Sequence, residues 1–563
     1  MRKPALRRGP AALVLLVALA GCDRPRALVA GLEAAAAAAR RTARSADGMV
    51  VTGAPLATAV GAHILGEGGN AVDAAVAVAF ALAVVEPTQS GIGGRTQILV
   101  RLADGTVAAI DGTTEVPAAW TGGPVDDEDA YGYQTVAVPG TVAALEAALR
   151  DHGTLSLAQA LDPAIALAEH GFVLSDAEAG RIESVADQLR EFEASRATFL
   201  KPDGTPYRGG ERLGQPLLAE TLRAIASGGA DAFYRGDIAR RIAADIRAHG
   251  GFVTEADLAA YQAEASIVVH GAYRDHELIG SYLPASGATT IEILQILDHL
   301  TPPAAGSADW VSTVAQALLM GFEDRTASRE PAADKAAWLT SADRAIERAA
   351  LIRLSRVTRA AALDSAGGSG AREPEFTTHV SIADAAGNVV ALTQSVGPTM
   401  GSRVATPGLG FVYAATMGYL GGLEPGTRRH WSSQSPLIVL KDGRPRYVIG
   451  GAGARRILSG IVETLSRTID EGLPLEQAQA APRFHPSPAR IDMEVHGGTA
   501  WPQATLDAVG ALGHRVETRD YPPYFARVNA IEFDTLSGEW VGVSDPRWQG
   551  TAQAPNTVRT RRN

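Results

Sequence analysis

Threonine and serine side chains face one another across a predicted hairpin in the second half of the chain. The segment EFTTHVSIADAAGNVVALTQS, residues 375–395, alternates apolar and polar residues, which is typical of half-buried strands. Pairing centred on Ala386 would place Thr377 opposite Ser395, on the same face as His379. Among hydroxyl groups gathered on one face, one could act as a nucleophile and another could hold it by a hydrogen bond. A register shift of one residue would destroy the arrangement.

Thr377 is a candidate N-terminal nucleophile. It follows DSAGGSGAREPEF, which has the composition of a flexible loop. A break between Phe376 and Thr377 would give Thr377 a free α-amine, whose ordinary pKa is about 7.7–8.0. That amine can act as general base for the hydroxyl of its own residue, so we interpret His379 as structural. Ser395 would hold the hydroxyl by a hydrogen bond. The alternative is that Thr377 and Thr378 are ordinary β-branched strand residues.

The elements that must position this hairpin are predicted to be mixed strands and helices. Strands are predicted in GMVVTG, TQILVRLADGTVAAID, PLIVLKDGRPRYVIGG and AIEFDTLSGEWVGVSD. Helices are predicted in PLATAVGAHILGEGG, AVDAAVAVAFALAVVEP and RILSGIVETLSRTIDEG. The second helix is apolar almost all round and should be buried. Strands and helices in this order predict a layered α/β architecture.

Composition excludes some classes of function. The chain has 563 residues, enough for two ordinary domains or one large one, and a globular composition with 46% hydrophobic residues. Its net charge of −11 argues against a nucleic-acid partner, since phosphate binding needs a basic surface. No metal-ligand spacing and no phosphate-binding loop is visible in the sequence. We therefore expect no metal and no cofactor.

The N-terminus indicates export. A basic start is followed by an apolar run at residues 11–20 that is too short to span a bilayer. The run ends at Cys22, the only cysteine of the chain, and small residues before a lone cysteine resemble a bacterial lipobox. We expect a lipoprotein signal peptide at 1–22, an alanine-rich tether at 23–47 and a folded body from Gly48. The alternative is an ordinary secretory signal with an incidental cysteine.

Several segments together resemble the γ-glutamyltranspeptidase family of N-terminal-nucleophile hydrolases. They are ILGEGGNAVDAAVAVAFALAVVEP, VAVPGTVAALEAAL, AFYRGDIARRIAADIRAHGGFVTEADLAAYQA, TTHVSIADAAGNVVALTQS, HWSSQSPLIVLKDG, APRFH and GVSDPR. The resemblance extends over nearly all of residues 48–550. It implies an αββα layered fold that cuts itself before Thr377. A large subunit, 48–376, and a small catalytic subunit, 377–563, would then form one body.

The resemblance also implies catalytic roles. Thr377 would be the autoprocessing residue and the nucleophile that accepts the acyl group. Ser395 stands where the family usually has a threonine that hydrogen-bonds the nucleophile. IGGAGARR is similar to the glycine-rich turn whose backbone N–H groups form the oxyanion hole. Gly453 matches the first donor, and Ala454 replaces the second glycine, which is acceptable if its backbone angles allow.

Recognition of a γ-glutamyl head group is where the sequence departs from the family. The adjacent Ser432 and Ser433 are retained. Thr113 stands where the family has an arginine that binds the substrate α-carboxylate, with no arginine near it in the sequence. Losing a bidentate arginine removes a strong charge-assisted contact.

The positions that hold the substrate α-amino group differ as well. Gly397, Thr416 and Tyr419 align with residues that are usually Asn, Gln and Asp. Arg95 could supply a substitute charge, or it could be a solvated loop arginine. The stretch 419–432 is too short for the longer lid loop of many relatives, which would open the cleft to water and favour hydrolysis over transfer.

The sequence leaves three functions open. The first is an exported γ-glutamyltransferase-like enzyme that transfers an acyl group from an amide or peptide to water or an amine. The second is an amidohydrolase or acylase with a non-glutamyl substrate. The third is a pseudoenzyme that binds ligands in the cell envelope. In each case we expect a small-molecule partner, a periplasmic or envelope location and membrane contact only through a lipid on Cys22.

Overall fold

The computed structural model of the protein describes residues 11–121, 131–327, 332–354, 376–419 and 428–555, with the backbone alone at 11–23, 353–354, 376 and 419. The strands are β1 (Thr42–Ser45), β2 (Gly48–Thr52), β3 (Arg95–Arg101), β4 (Val107–Gly112), β5 (Phe172–Val173), β6 (Arg212–Leu213), β7 (Glu264–Ala265), β8 (Val268–Tyr273), β9 (His276–Ser281), β10 (Phe376–Asp384), β11 (Val389–Gly397), β12 (Leu437–Lys441), β13 (Arg444–Ala452), β14 (Phe484–Ser487), β15 (Arg490–Glu494), β16 (Val516–Arg519), β17 (Arg527–Asp534), β18 (Glu539–Ser544) and β19 (Thr551–Gln553).

The helices, in chain order, are α1 (Ala11–Ala38), α2 (Pro55–Gly66), α3 (Ala71–Val85), α4 (Thr141–His152), α5 (Leu157–His170), α6 (Asp176–Ser184), α7 (Ala186–Arg190), α8 (Glu193–Phe199), α9 (Pro216–Tyr234), α10 (Asp237–Ala248), α11 (Glu255–Ala260), α12 (Gly287–Asp298), α13 (Ala308–Ala327), α14 (Ala333–Leu339), α15 (Ala342–Leu354), α16 (Arg456–Asp470), α17 (Leu475–Ala480) and α18 (Gln503–Ala511). Short 3-10 turns lie at Tyr133–Thr135, Thr416–Tyr419, Gly497–Thr499 and Pro522–Tyr524.

Two antiparallel sheets form the centre of the molecule. The first has the strand order β19-β2-β10-β11-β3-β4-β7, and the second has the order β1-β18-β17-β13-β12-β9-β8. A buried apolar cluster that includes Met49, Leu99, Ile438 and Val448 fills the space between them. Because each strand alternates its side chains between two faces, each sheet also presents an apolar face outward.

Helices cover both outward faces. Helices α2, α3 and α5 pack with Val380, Ile382, Val390 and Leu392 of the first sheet. Helices α12, α13 and α16 pack with Leu437, Val439 and Val528 of the second. The result is an αββα stack of four layers, which confirms the predicted architecture.

Helix α3 is buried along its whole length, as its sequence predicts. It begins with a capping box, in which the Asn70 side chain accepts from the N–H groups of Val72 and Asp73 while Asp73 accepts from the N–H of Asn70. It ends at Val85, before Glu86 and a proline. The helix therefore fixes the position of Glu86 inside the molecule.

The N-terminal segment differs from the predicted tether at 23–47. Val29 and Leu32 of α1 are buried against the body, and Arg212 forms an ion pair with Glu33. Strand β1 then pairs with β18 at the edge of the second sheet. The two apolar side chains lie one helical turn apart and so face the same neighbour, which explains why this stretch packs. The ordered body thus begins before Gly48.

Three predicted features fall outside the described residues. They are the basic start of the chain, the loop at 364–375, and most of the predicted short stretch after Tyr419. The side chain of Cys22 is also outside the description. Among the helices in the described part of the chain, none combines the length and apolar character needed to cross a membrane.

Candidate active site

The predicted register of the hairpin is confirmed. Strands β10 and β11 are antiparallel neighbours, and Thr377 pairs with Ser395 while His379 pairs with Thr393. The Thr377 hydroxyl donates to Ser395 Oγ over 3.3 Å, and the Ser395 oxygen also accepts the N–H of Gly397 at 3.0 Å. Both hydroxyl side chains are buried. The site thus holds a threonine hydroxyl in a fixed direction at the start of a central strand.

His379 belongs to the structural support of this strand. Its two ring nitrogens lie 2.8 Å from Thr393 Oγ1 and 3.1 Å from Ser381 Oγ. Burial lowers the pKa of His379 to about 3, so the ring is neutral at ordinary pH. The ring packs against Gly450 of β13, where an added Cβ would lie 2.2 Å from it. Glycine at this position lets the second sheet approach the hairpin closely.

The polar face continues onto β3. Arg95 pairs with Ser395, and Gln97 pairs with Thr393. Residues directly opposite each other point to the same side of a sheet, so Thr377, Ser395 and Arg95 form one row across three strands. Arg95 is only 4% exposed, which makes it a buried residue of the polar face and not a solvated loop arginine.

Thr113 lies at the end of β4, next along this face. Its hydroxyl accepts a hydrogen bond from Gln97 Nε2 at 2.7 Å, and its carbonyl accepts from the Tyr261 hydroxyl at 2.7 Å. Asp111 accepts the Thr113 N–H and forms an ion pair of 2.6 Å with Arg429. No arginine is close to Thr113 in the sequence, but the fold places Arg429 beside it in the structure.

Arg429 is already engaged by acidic side chains. It bonds Glu115 at 2.7 Å in addition to Asp111, and its guanidinium lies 5.2 Å from the centre of the Tyr261 ring. Its side chain is only 7% exposed, so these ion pairs compensate for the loss of its hydration. It neutralises the carboxylates around Thr113.

The other positions predicted to contact a head group lie at the end of β11 or after it. Gly397 ends β11 with a φ of 89°, in the left-handed region that favours glycine. The Thr416 hydroxyl lies 2.9 Å from the hydroxyl of Thr114. Tyr419 ends the turn at Thr416–Tyr419, and its side chain lies outside the described residues.

The turn at 453–454 connects β13 to α16. Gly453 has a φ of 128° and Ala454 a φ of 56°, so the alanine adopts a left-handed conformation. Within the described residues, neither the N–H of Gly453 nor that of Ala454 donates a hydrogen bond. Both lie at the start of α16, where the helix dipole favours negative charge. Two backbone N–H groups without partners at the start of a helix can bind a negatively charged oxygen.

A direct contact connects the second sheet to the nucleophile strand. Ala452, the residue before the turn at 453–454, pairs with Arg527 of β17. Arg527 Nη2 donates to the carbonyl oxygen of Thr377 over 3.4 Å. The end of β13 and the start of β10 therefore meet at one place between the sheets.

Ser432 and Ser433 lie in a loop that is attached to the same hairpin. Gln434 Nε2 donates to the carbonyl of Thr393 in β11, and Ser432 donates its N–H to the carbonyl of Pro284 at 2.7 Å. The Ser433 hydroxyl accepts from both terminal nitrogens of Arg325 at 3.4 Å.

Arg325 is a site residue that the sequence reasoning missed. It is buried in α13 and stacks on Trp431, with 4.1 Å between the guanidinium and the ring centre. Only its place in the charged stretch EDRTASREP could have drawn attention to it. No group of three or more His, Cys, Asp and Glu side chains in the described part of the chain could hold a metal ion.

Two stacked sheets between helices, with a threonine at the head of a central strand, are the features of an N-terminal-nucleophile hydrolase. The chain belongs to the gamma-glutamyltranspeptidase family, whose sequence model matches residues 57–554.

Relatives of known name cover most of the chain. It is 36% identical over 542 residues to the acylase ACY 1 proenzyme of Pseudomonas sp. (strain SE83), covering 92% of this chain and 95% of that one. It is 33% identical over 536 residues to the glutathione hydrolase proenzyme of Escherichia coli (strain K12), covering 90% and 91%. The crystal structure of cephalosporin acylase from Bacillus halodurans matches with a TM-score of 0.81 and 28% identity, over 92% of this chain and 97% of that one.

Proposed function

We propose that the protein is a self-processing amide hydrolase or acyltransferase whose nucleophile is Thr377. Cleavage between Phe376 and Thr377 would produce the active enzyme, and Thr377 would then take the acyl group from an amide. The observation that carries this proposal is the 3.3 Å hydrogen bond from Thr377 to Ser395 at the head of β10. Relatives that are named proenzymes support a maturation step.

The proposed chemistry uses groups already described. The free α-amine of Thr377 takes the proton of its hydroxyl as the oxygen attacks the substrate carbonyl. Ser395 keeps the hydroxyl oriented. The N–H groups of Gly453 and Ala454 donate hydrogen bonds to the oxyanion that forms, and one such donor lowers the barrier by about 2.7–4 kcal/mol. The amine then gives its proton to the leaving amine, and water or a second amine releases the acyl group.

Cleavage is tested with Thr377→Ala. Wild-type protein should run as two chains on a denaturing gel, and the shorter chain should begin Thr-Thr-His. The alanine variant should remain one chain because it lacks the attacking hydroxyl. Thr378→Ala is the matched control and should still be cut, giving a start of Thr-Ala-His. A single wild-type chain would contradict the proposal and favour a binding pseudoenzyme, and a start at another residue would contradict the choice of nucleophile.

We further propose that the preferred acyl group lacks the α-amino acid moiety. The hydroxyls of Thr113 and Thr416 are already bonded to Gln97 and Thr114. Arg429 neutralises the carboxylates beside Thr113. A zwitterionic head group would lose water without gaining partners, and one unsatisfied buried polar group costs about 1–3 kcal/mol.

This preference predicts higher kcat/KM for glutaryl p-nitroanilide than for γ-glutamyl p-nitroanilide, by about tenfold or more, since about 1.4 kcal/mol is tenfold in rate. Butyryl p-nitroanilide is the matched control, because it lacks the distal carboxylate. Arg95→Met should lower kcat/KM for the glutaryl substrate towards the butyryl value, because Arg95 lies in the same row as Thr377. A γ-glutamyl value above both others would instead favour glutathione hydrolase activity, with Ser432 and Ser433 holding the head group.

A further inference from the structure

Glu86 is a buried carboxyl group close to the nucleophile strand that the proposed chemistry does not use. It follows α3 and has no exposed surface. Its Oε1 accepts from Trp548 Nε1 at 3.4 Å and from Gln89 Nε2. Its Oε2 has no hydrogen-bond partner among the described residues. A buried carboxyl oxygen without a partner is costly, so its presence calls for a ligand or a function.

The charged groups that face Glu86 come from two elements. Arg527 of β17 and Arg181 of α6 lie on the Trp548 ring at 4.3 and 4.2 Å from its centre. Glu178 of α6 also faces Glu86, but its two oxygens accept from the N–H and hydroxyl of Thr88, both at 2.9 Å, and it is ion-paired with Arg181. Both oxygens of Glu178 therefore have hydrogen-bond partners, whereas one oxygen of Glu86 can still accept a hydrogen bond.

The backbone N–H and C=O groups of Thr377 point towards Arg527 and away from β11. Asp384 donates its N–H to the carbonyl of Asn388 across the hairpin. Because N–H and C=O groups alternate sides along a strand, Thr377 and His379 must point to the other side. The bond from Arg527 to the Thr377 carbonyl agrees with this direction. An amine on Thr377 would occupy the same side.

Among the described strands, none pairs with Thr377 on that side. β2 pairs with β10 only over residues 381–384 and ends at Thr52. Gly53 lies in this gap, and a Cβ added to it would be 3.1 Å from Thr378 Oγ1 and 3.6 and 3.7 Å from the two Glu86 oxygens. The Thr378 hydroxyl makes no hydrogen bond of good geometry among the described residues, but it faces Glu86 closely enough to lower the pKa of that carboxyl. Two buried polar groups therefore converge beside the start of β10.

We propose that Glu86 is the positioning residue that holds the α-amine of Thr377 in the mature enzyme. The inference rests on the proposed cut, in which water adds across the peptide bond and leaves a carboxyl group on Phe376 and an amine on Thr377. The new amine brings hydrogen-bond donors into a buried site that has an acceptor without a partner. Arg527, on the carbonyl of the same residue, disfavours the protonated amine, while Glu86 favours it. Arg527 and Glu86 thus have opposite effects on the pKa of the amine that serves as general base.

The electrostatics of Glu86 agree with this role. Burial, followed by the neighbouring Glu178 carboxylate, raises the pKa of Glu86 to about 7. Burial, followed by Arg181, lowers the pKa of Arg527 to about 10. Glu86 therefore titrates in the same pH range as an α-amine, and the two groups should behave as a coupled pair.

The test is the pH profile of kcat/KM for Glu86→Gln, measured with whichever of the glutaryl and γ-glutamyl p-nitroanilides the wild type hydrolyses faster. Glutamine keeps the shape but removes the negative charge that stabilises the ammonium form. The pKa of the amine should fall, so the acidic limb should move to lower pH by about one unit. We expect kcat to fall about tenfold or more with KM within about twofold, because the amine loses its orienting partner. A cut variant with an unchanged acidic limb would overturn the proposal.

Glu463→Gln is the matched control. Glu463 in α16 is equally buried, is ion-paired with Arg467 at 3.5 Å, and lies on the outer side of the second sheet, away from Thr377. Its substitution should leave the acidic limb in place, and an equal shift there would contradict a specific role for Glu86.

If the Glu86→Gln variant does not fold or is not cleaved, Gly53→Ala provides the test instead. Its methyl group would separate the amine from the carboxyl without changing any charge, so the acidic limb should again move to lower pH. An unchanged limb would overturn the inference. Failure of the proposed function is distinguishable, since the wild-type chain would then remain uncut or begin at another residue.

Discussion

Ala454 occupies a backbone conformation that suits glycine. Its φ of 56° lies in the left-handed region, which costs a residue with a Cβ about 1–2 kcal/mol. We predict that Ala454→Gly raises the free energy of unfolding by about 0.5–1 kcal/mol, the gain being reduced by the greater freedom of glycine in the unfolded chain. Denaturant unfolding in the uncut Thr377→Ala background measures this.

The neighbouring glycine provides the opposite substitution. Gly453 has a φ of 128°, and a Cβ there would lie 3.3 Å from the Cα of Ala526. Gly453→Ala should therefore lower the free energy of unfolding. In the processed enzyme Ala454→Gly should keep its kcat, because the oxyanion donor is the backbone N–H and not the side chain. Destabilisation by Ala454→Gly would show that the methyl group of Ala454 contributes more packing than strain.

Some site residues could be predicted from the sequence and others could not. Thr377 opposite Ser395 follows from strand alternation and a short loop, both of which are local. Arg429 and Arg325 come from distant parts of the chain, and only the folded structure places them beside Thr113 and Ser433. Contacts of this kind depend on tertiary packing, which periodicity does not encode.

At the scale of elements, the close approach of β13 to β10 depends on Gly450. A Cβ on this residue would lie 2.2 Å from the His379 ring, so Gly450→Ala must move either the ring or the strand. Overpacking of this kind typically costs about 1–3 kcal/mol. We predict a loss of that size in the free energy of unfolding, measured by denaturant titration.

Gly180 offers a matched control for this substitution. It lies in α6, and a Cβ there would meet no atom within 4 Å. Gly180→Ala should be neutral or stabilising by about 0.5–1 kcal/mol, since alanine favours helices. Equal stability of Gly450→Ala and the wild type would mean that the two sheets can separate without cost.

The elements differ in how well the sequence predicts them. The apolar α3 was predictable because its length and composition leave no other location than the core. β1 was not, since four residues of mixed character become a strand only because β18, about 500 residues later in the chain, offers its edge. The alanine-rich α1 has no strong amphipathic pattern, so its packing on the body was equally hidden.

At the scale of the whole molecule, the N-terminus bears on location. We propose that the protein is exported and carries a lipid on Cys22. Val29 of α1 is buried in the body seven residues later, about 10 Å along a helix. A lipid on Cys22 would therefore hold the body close to a membrane surface.

This proposal predicts that the wild-type protein sediments with membranes and that Cys22→Ser is released into the soluble fraction of the native host. Fractionation followed by immunoblotting measures the distribution. Activity per molecule should be unchanged, because Cys22 lies outside the site. Continued sedimentation of all the serine variant with membranes would contradict a lipid anchor.

Each sheet combines strands from both sides of the proposed cut. β10 lies between β2 and β11, and β11 in turn pairs with β3. Thr377 and Ser395 share one hairpin, but Arg95 and the flanking strand β2 come from the other half of the chain, so the complete site forms only after both halves have assembled. Under the proposed cleavage, a misassembled chain is not cut. Its Thr377 nitrogen then stays in a peptide bond and cannot act as the general base, so the chain is inactive. Cleavage would thus depend on correct folding, and only correctly folded molecules would become active.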